Sequence, residues 1–246
     1  MNDFAIVPER INAIDPQARH TLDETGAVIL TDLPSRPDSL TVAAAMLFGT
    51  ALRELYPHRT RRSVDGTTVS LHADSFDIVV DIAGNPTRRR HPDEDYVLVL
   101  LAEQAPSGGE SFLLDAHTFT DSLAPDLRAF LAETDVDLYG RWAGTRGLPS
   151  TPRAGRHTEY TRTGRRITRR TDGAIPLHRD PDTEHITTML ARLDIEVERA
   201  QPALPRVRLD EGEILVLDNY RCWHGREAHT GQRTVHIQTL RTDSAK

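Results

Sequence analysis

The stretch TTVSLHADSFDIVVDI (67–82) decides how the rest of the chain is read. It alternates and then turns β-branched, which is the pattern of strands and not of a helix. In an extended strand, residues two apart share a face. His72 and Asp74 therefore project together, while Val69, Leu71 and Ala73 point the other way. An imidazole and a carboxylate side by side on a strand are candidate metal ligands that lack a third partner.

Working outward, five more segments read as strands. DYVLVLLAE (95–103) is a continuous apolar run, as a strand covered on both faces would be. ESFLLDA (110–116), VRLDEGEILVLDN (207–219) and RTVHIQTLRT (233–242) follow, and GAVILTDLP (26–34) is a short strand with its exit turn. Helical spacing appears in SLTVAAAMLFGTALRELY (39–56), which Pro57 ends, in DSLAPDLRAFLAE (121–133) and in HITTMLARLDIEVERA (185–200). Strands dominate without a regular βαβ alternation. That predicts a mainly β architecture with flanking helices, a sandwich or barrel, in one domain over 1–246.

The bulk numbers agree. At 246 residues, 38% hydrophobic and 27% charged, the chain can bury one sizeable core. Its net charge of −7, with no basic stripe interleaved with aromatics, argues against nucleic-acid binding. A single cysteine, Cys222, excludes an internal disulfide framework and fits a reducing compartment. MNDFAIVPER lacks an apolar signal core, and no run approaches 18 apolar residues, so a cytoplasmic, non-membrane protein is expected. Lys246 is the sole lysine, so the cationic charge is arginine. Guanidinium forks suit carboxylates and phosphates, although a composition bias would give the same count.

A further histidine, His224, lies in DNYRCWHGR (218–226), where a buried-type strand runs into an aromatic and arginine-bearing loop. Two histidines and one carboxylate on adjacent corners of an octahedron leave three positions open, the arrangement of non-haem Fe(II) oxygenases. Nine residues beyond His224, Arg233 opens the last strand, where its guanidinium can hold the distal carboxylate of a dicarboxylic acid bidentately. In APSGGESF (105–112), two glycines permit a close turn and Ser111 offers a hydroxyl to the same carboxylate.

Residues 140–181 stand apart, rich in Arg, Gly, Pro and Thr and poor in apolar residues. Such a segment reads as a functional lid or a hairpin insertion. Arg162, Arg165, Arg166, Arg169 and Arg170 form either a solvated hairpin or an electropositive lid that recruits an acidic or zwitterionic substrate. Arg88, Arg89 and Arg90 invite the same two readings. His178, His185 and His236 read as surface or structural histidines, with His236 the best spare ligand of the three. Tyr220 and Trp223 could wall a substrate pocket or fill the core, and Cys222 reads as a small buried side chain.

The order His-x-Asp, Pro-x-Gly-Gly-x-Ser, Asp-Asn-x-x-x-x-His-Gly-Arg and an arginine opening the last strand resembles the taurine dioxygenase superfamily, which includes clavaminate synthase-like oxygenases. GAVILTDLP and the LFGTAL-bearing helix resemble that family's entry segment, so the likeness spans nearly the whole chain. It implies a double-stranded β-helix, or jelly roll, with Fe(II) held by His72, Asp74 and His224. It also implies 2-oxoglutarate held by Arg233 and Ser111, with O2 as the other co-substrate. Two departures stand out. The family more often has threonine at Ser111, and the shorter interval from His224 to Arg233 makes Arg226 a rival for the carboxylate. A strand start holds Arg233 more rigidly and favours it. Asp74 argues against halogenation, since related halogenases replace that carboxylate. The implied reaction is hydroxylation, desaturation or cyclisation of a small polar molecule, such as an amino acid or a specialised-metabolite intermediate. The alternative is a non-catalytic metal- or ligand-binding jelly roll. Oligomeric state is not legible.

Overall fold

The computed structural model describes residues 3–74, 77–82, 85–90, 93–144 and 151–246, with the backbone alone described over 77–82 and 85–90. In chain order, the first elements are β1 (Ala5–Ile6), β2 (Glu9–Asn12), α1 (Gln17–Thr25), β3 (Ala27–Thr31), α2 (Asp38–Phe48), β4 (Leu52–Leu55) and β5 (Arg59–Val64). The centre holds β6 (Val69–His72), β7 (Asp77–Ile82), β8 (Asn85–Arg90), β9 (Tyr96–Glu103), β10 (Ser107–Gly108) and β11 (Ser111–Asp115). Then come α3 (Ala116–Ser122), α4 (Pro125–Glu133), β12 (Val136–Asp137), β13 (Ala154–Gly155), β14 (Thr158–Tyr160) and β15 (Arg166–Thr168). The chain closes with α5 (Thr183–Ala200), β16 (Ile214–Asp218), β17 (Cys222–Arg226), β18 (His229–Thr230) and β19 (Gln232–Thr242).

Two sheets carry the architecture. The smaller runs β1-β11-β17-β6, and the larger runs β2-β3-β16-β9-β19-β4, with β5 also paired to β19. Every pairing is antiparallel except β2 with β3. The two-residue period of each strand sorts its side chains into layers. Ala27, Ile29, Leu101, Leu113, Leu215, Leu217 and Val235 meet between the sheets. On the outer face of the larger sheet, Val28, Leu30, Leu98, Leu100, Ile214 and Val216 pack under α1 and α2. On the outer face of the smaller one, Leu71, Phe112, Leu114 and Trp223 pack under α3, α4 and α5. The chain is thus mainly β, two facing sheets between helical layers, and β9 is covered on both faces as its apolar run predicts.

The predicted elements differ from the structure at four places. The helix expected over 39–56 stops at Phe48, because Gly49 takes a φ of +47°, and Leu52–Leu55 pairs instead as β4 with β19. The patch at 121–133 is two helices, with Pro125 starting the second. Asp115 caps the first by accepting from His117 N–H and Thr118 N–H. Asp74 lies beyond the end of β6, outside the pleat expected to aim it.

The arginine-rich segment is the largest difference. It does contain a hairpin, β14 with β15, while residues 145–150 lie outside the described residues, as do the side chains of Arg88, Arg89 and Arg90. Only Arg162 of the five singled-out arginines is exposed. Arg165 donates to Asp95 and Asp218 at 2.8 Å each and lies between the rings of Tyr96 and Tyr220. Arg166 binds Asp121 and Thr120, Arg169 binds Asp93 and Glu159, and Arg170 binds Asp194. These four guanidinia are spent on carboxylates of the same chain, which neither a solvated hairpin nor an open cationic lid would do. The reason is pairing: Asp95 is fully buried and stable there only with a countercharge.

Arg165→Ala strands Asp95 and should cost about 3–5 kcal/mol. In thermal denaturation that corresponds to a fall in Tm on the order of 10 °C. Arg162→Ala should leave Tm unchanged. Equal Tm values for the two variants would refute the role given to the Arg165–Asp95 pair.

Candidate active site

The site begins with a register. On β17, His224 stands directly opposite His72 of β6 and, on its other side, opposite Leu113 of β11. Directly opposed residues share a face, and Leu113 packs between the sheets, so both imidazoles face that inter-sheet space. Their ring centroids are 4.4 Å apart. The alternate residues Leu71, Ala73 and Trp223 pack on the helical side. An irregularity follows immediately, with Arg226 opposite Val69, and such a bulge locally re-aims a strand next to a site. Gly225 belongs to the same design: a Cβ there would lie 2.2 Å from the Phe112 ring.

Asp74 is aimed by a side chain and not by the sheet. Its backbone N–H donates to Asn219 Oδ1 at 2.8 Å, and Asn219 Nδ2 donates to the carbonyls of Asp74 and Glu94 at 2.9 Å each. Ala73 N–H donates to the Arg170 carbonyl, so the tail of the β14–β15 hairpin runs beside the ligand segment. The Trp223 indole N–H donates to the Thr168 carbonyl, and the Arg170 guanidinium covers the Trp223 ring. Asn219, within the DNYRCWHGR motif, thus positions Asp74 in a way that local pattern does not reveal. Its one local trace is a buried-type asparagine five residues before a candidate ligand.

His72, Asp74 and His224 each bring one donor atom into a set lying within 4.8 Å of one another, the sole group of that kind among the described residues. This is wider than the roughly 3–4 Å expected for donors on one ion at about 2.1 Å. The donor set fits a divalent metal. His72 Nδ1–H donates to the Ser70 carbonyl at 2.9 Å, which turns Nε2 toward Asp74 Oδ1, 3.4 Å away. Such an outer bond fixes the tautomer of a ligating histidine. His224 Nδ1 is shielded from solvent without a hydrogen-bond partner among the described residues. Burial and the neighbouring His72 push the His224 pKa down to about 4, so its imidazole is neutral and available as a ligand. Burial is the largest single influence and works against charge on both His72 and Asp74, but their mutual hydrogen bond and the neighbouring charges together outweigh it, raising the first and lowering the second.

Beyond His224 the chamber turns cationic. Arg233 is 8% exposed and its Nε has no hydrogen-bond partner among the described residues. Burial, then the charge of Arg226, lower its pKa to about 10. Arg226 is engaged, donating to the carbonyls of Glu227 and Thr67. Gly109, at a φ of +80°, lies against the Arg233 stem, where a Cβ would come within 3.3 Å. Ser111 sits opposite Arg226 with its backbone paired to Val207. The buried His229 joins this end, with its Nδ1–H on the Gly231 carbonyl and its Nε2 on the Ser63 hydroxyl; sequence reading did not single it out. A guanidinium desolvated beside another and short of an acidic partner is built to receive an anion.

Other predicted residues fall elsewhere. His178 and His185 are exposed, and His236 bonds Thr60 on the far face of β19. Trp223 and Tyr220 fill the core, and the Cys222 thiol donates to the Gly26 carbonyl. Among the described residues, no helix is long and apolar enough to cross a membrane.

Asn219→Ala would leave one buried N–H and two buried carbonyls unpaired, at about 1–3 kcal/mol each. It should also weaken Mn(II) binding by roughly 10- to 100-fold, the usual effect of losing an outer-shell partner. Calorimetric titration with Mn(II) against the unaltered protein checks this. Unchanged affinity would remove Asn219 from the site.

Residues 3–240 match the family model described as "Taurine catabolism dioxygenase TauD, TfdA family". A search of the curated proteins by sequence finds no match. Among solved structures, a taurine dioxygenase from Burkholderia xenovorans superposes with a TM-score of 0.64 at 15% identity, covering 98% of this chain and 89% of that one. AAD-2, in complex with Mn(II) and N-oxalylglycine, gives 0.62 at 15%, covering 96% and 92%. PvcB from Pseudomonas aeruginosa gives 0.61 at 15%, covering 94% and 82%. At such identities these likenesses speak for the fold, while the family match speaks for the chain. The chain belongs to the taurine catabolism dioxygenase TauD, TfdA family, and is therefore a 2-oxoglutarate-dependent non-haem iron dioxygenase.

Proposed function

We propose that His72, Asp74 and His224 hold the Fe(II), that Arg233 and Ser111 receive the distal carboxylate of 2-oxoglutarate, and that the enzyme oxidises a C–H bond of a small polar molecule. The observation that carries this reading is the cross-strand pair of histidines with Asp74 beside it, facing a chamber whose other end presents a desolvated guanidinium. We read the two facing sheets as the walls of a double-stranded β-helix, and residues 1–246 as one catalytic domain with 140–181 packed on it as a hairpin.

When bound, the metal supplies the activation of O2 that couples decarboxylation of 2-oxoglutarate to substrate oxidation. The chain supplies placement. His224, neutral through burial, and His72, oriented by the Ser70 carbonyl, would hold the metal, and Asp74 would supply the compensating negative charge. A two-histidine, one-carboxylate set would leave room for co-substrate and O2. Arg233 fixes the far end of the co-substrate and so decides where its reactive end falls. Arg226, already committed to two backbone carbonyls, shapes that end without binding the carboxylate. The apolar residues between the sheets exclude water from the reacting atoms. Hydroxylation is the default outcome, and desaturation or cyclisation needs the same groups. An amino acid or specialised-metabolite intermediate fits the size class of the substrate.

Anaerobic addition of Fe(II) and 2-oxoglutarate should give the weak visible charge-transfer band of a chelated complex, and His72→Ala, Asp74→Ala and His224→Ala should each abolish it with the fold intact. A band that survives all three substitutions would overturn the ligand assignment. Arg233→Ala should raise the Kd for 2-oxoglutarate roughly 30- to 150-fold, the worth of a charge-assisted pair at about 2–3 kcal/mol. Arg226→Ala should do much less, and the reverse order would exchange their roles.

A further inference from the structure

Three chain crossings between the sheets meet at the arginine end of the chamber. Residues 65–68 join β5 to β6, residues 104–110 join β9 to β11 by way of β10, and residues 227–231 join β17 to β19 by way of β18. Arg226 is the last residue of β17 and Arg233 the second of β19. The corner between them therefore lies beyond both arginines as seen from His224. His229 stands in that corner, 4% exposed, and ties the other two crossings to its own. Its backbone N–H donates to the Gly66 carbonyl at 2.9 Å, and it is the register partner of Gly108.

The glycines of these crossings leave the ring its space beside both guanidinia. A Cβ on Gly66 would lie 2.5 Å from His229 Nε2 and 3.2 Å from Arg226 Nη2. A Cβ on Gly109 would lie 3.3 Å from Arg233 Nε and 3.6 Å from His229 Cβ. The imidazole is held as a wall and not as an anion ligand. The Gly231 carbonyl can only accept, so Nδ1 carries the proton, and Nε2 is left to accept from the Ser63 hydroxyl at 2.9 Å. Burial, then the charges of Arg226 and Arg233, lower the His229 pKa and favour this neutral ring. No N–H is then free for a carboxylate. Ser63 is the register partner of Arg233, so the ring is anchored on the same strand pair as that guanidinium.

A five-carbon dicarboxylate spans about 5 Å between its carboxyl carbons, and each added methylene lengthens it by about 1.3 Å, from ordinary C–C geometry. With its 2-oxo acid end placed at the histidine pair, extra length is pushed toward the corner that His229 fills. We propose that His229 is a specificity-determining residue for the co-substrate: its imidazole closes the arginine end of the chamber and limits the 2-oxo dicarboxylate to five carbons. This rests on the proposed function above. The competing role is structural, a hydrogen-bonded pin that joins the three crossings, and the test separates the two.

Kd values for 2-oxoglutarate and its six-carbon homologue, 2-oxoadipate, are measured by calorimetry with Mn(II) saturating, on the unaltered protein, His229→Ala and His229→Phe. The unaltered protein should prefer 2-oxoglutarate about 10- to 200-fold, the usual worth of one methylene in a fitted pocket. His229→Ala removes the wall and should lose that preference through tighter binding of 2-oxoadipate, while Mn(II) affinity holds. His229→Phe gives up both ring hydrogen bonds but keeps the bulk, and should retain the preference. If His229→Ala does not fold, His229→Asn, shorter than histidine yet able to bond Ser63, carries the same forecast.

An unchanged preference in the shortened variant, including a weakening of both acids alike, would overturn the proposal. So would loss of the preference in His229→Phe, which would leave His229 a pin. Equal binding of the two acids by the unaltered protein would overturn it as well, with the parent reading still standing. Failure of the unaltered protein to bind Mn(II) and 2-oxoglutarate would sink the parent reading, and this one with it.

Discussion

The pairing of β6 with β17 is the constraint on which everything else depends. A slip of one residue between them would carry His72 and His224 to the helical side and bring Leu71 and Trp223 into the chamber. What forbids the slip is apolar burial on the other face. Leu71 and Trp223 are 1% and 0% exposed, locked among Phe112, Phe119 and the helices. Burying each is worth about 1.5–3 kcal/mol, more than a polar inward residue could offset. The packing on one face therefore fixes the chemistry on the other.

Arginine serves two opposite ends in this molecule. Arg165 and Arg169 neutralise acids that the fold has largely buried, Arg166 and Arg170 pair with more exposed ones, and together they tie the hairpin to the rest of the protein. Arg233 is desolvated, and among the described residues the charge that reaches it is that of Arg226. The first arrangement is internally complete and stabilises. The second is costly until an anion arrives, which is what a binding site for a carboxylate requires. One residue type read from composition alone cannot tell these apart, because the difference lies in what stands within about 3 Å of the guanidinium, the reach of a hydrogen bond.

This also marks what was legible in the sequence. The strands at 95–103, 110–116 and 233–242 could be argued from alternation, and so could the convergence of His72, Asp74 and His224 from spacing and motif order. Each depends on local pattern. The fate of 140–181 could not, since its polar side chains are satisfied by Asp93, Asp95, Asp121, Asp194 and Asp218, partners 24 to 76 residues away in the chain. The end of α2 was missed for a similar reason. Leucines at helical spacing also suit a strand, and only the vacant edge of β19 shows which applies to Leu52–Leu55. Asn219 was visible as a letter, but its three hydrogen bonds join segments more than a hundred residues apart.

Between the sheets, the division of the chamber follows from the same accounting. Along β19 the inward positions run Arg233, Val235, Ile237, and along β17 they run Cys222, His224, Arg226. Val235 and Cys222 belong to the closed apolar cluster, so charge and grease alternate with position along each strand. Water excluded by that cluster leaves the imidazoles and guanidinia in a medium of low effective dielectric, where a missing partner is expensive and a correct one strongly bound. A sheet interior that was apolar throughout would be more stable, and one that was polar throughout would not fold. Sites of this kind exist where the apolar stripe is long enough to hold the sheets together and is interrupted only where ions must enter.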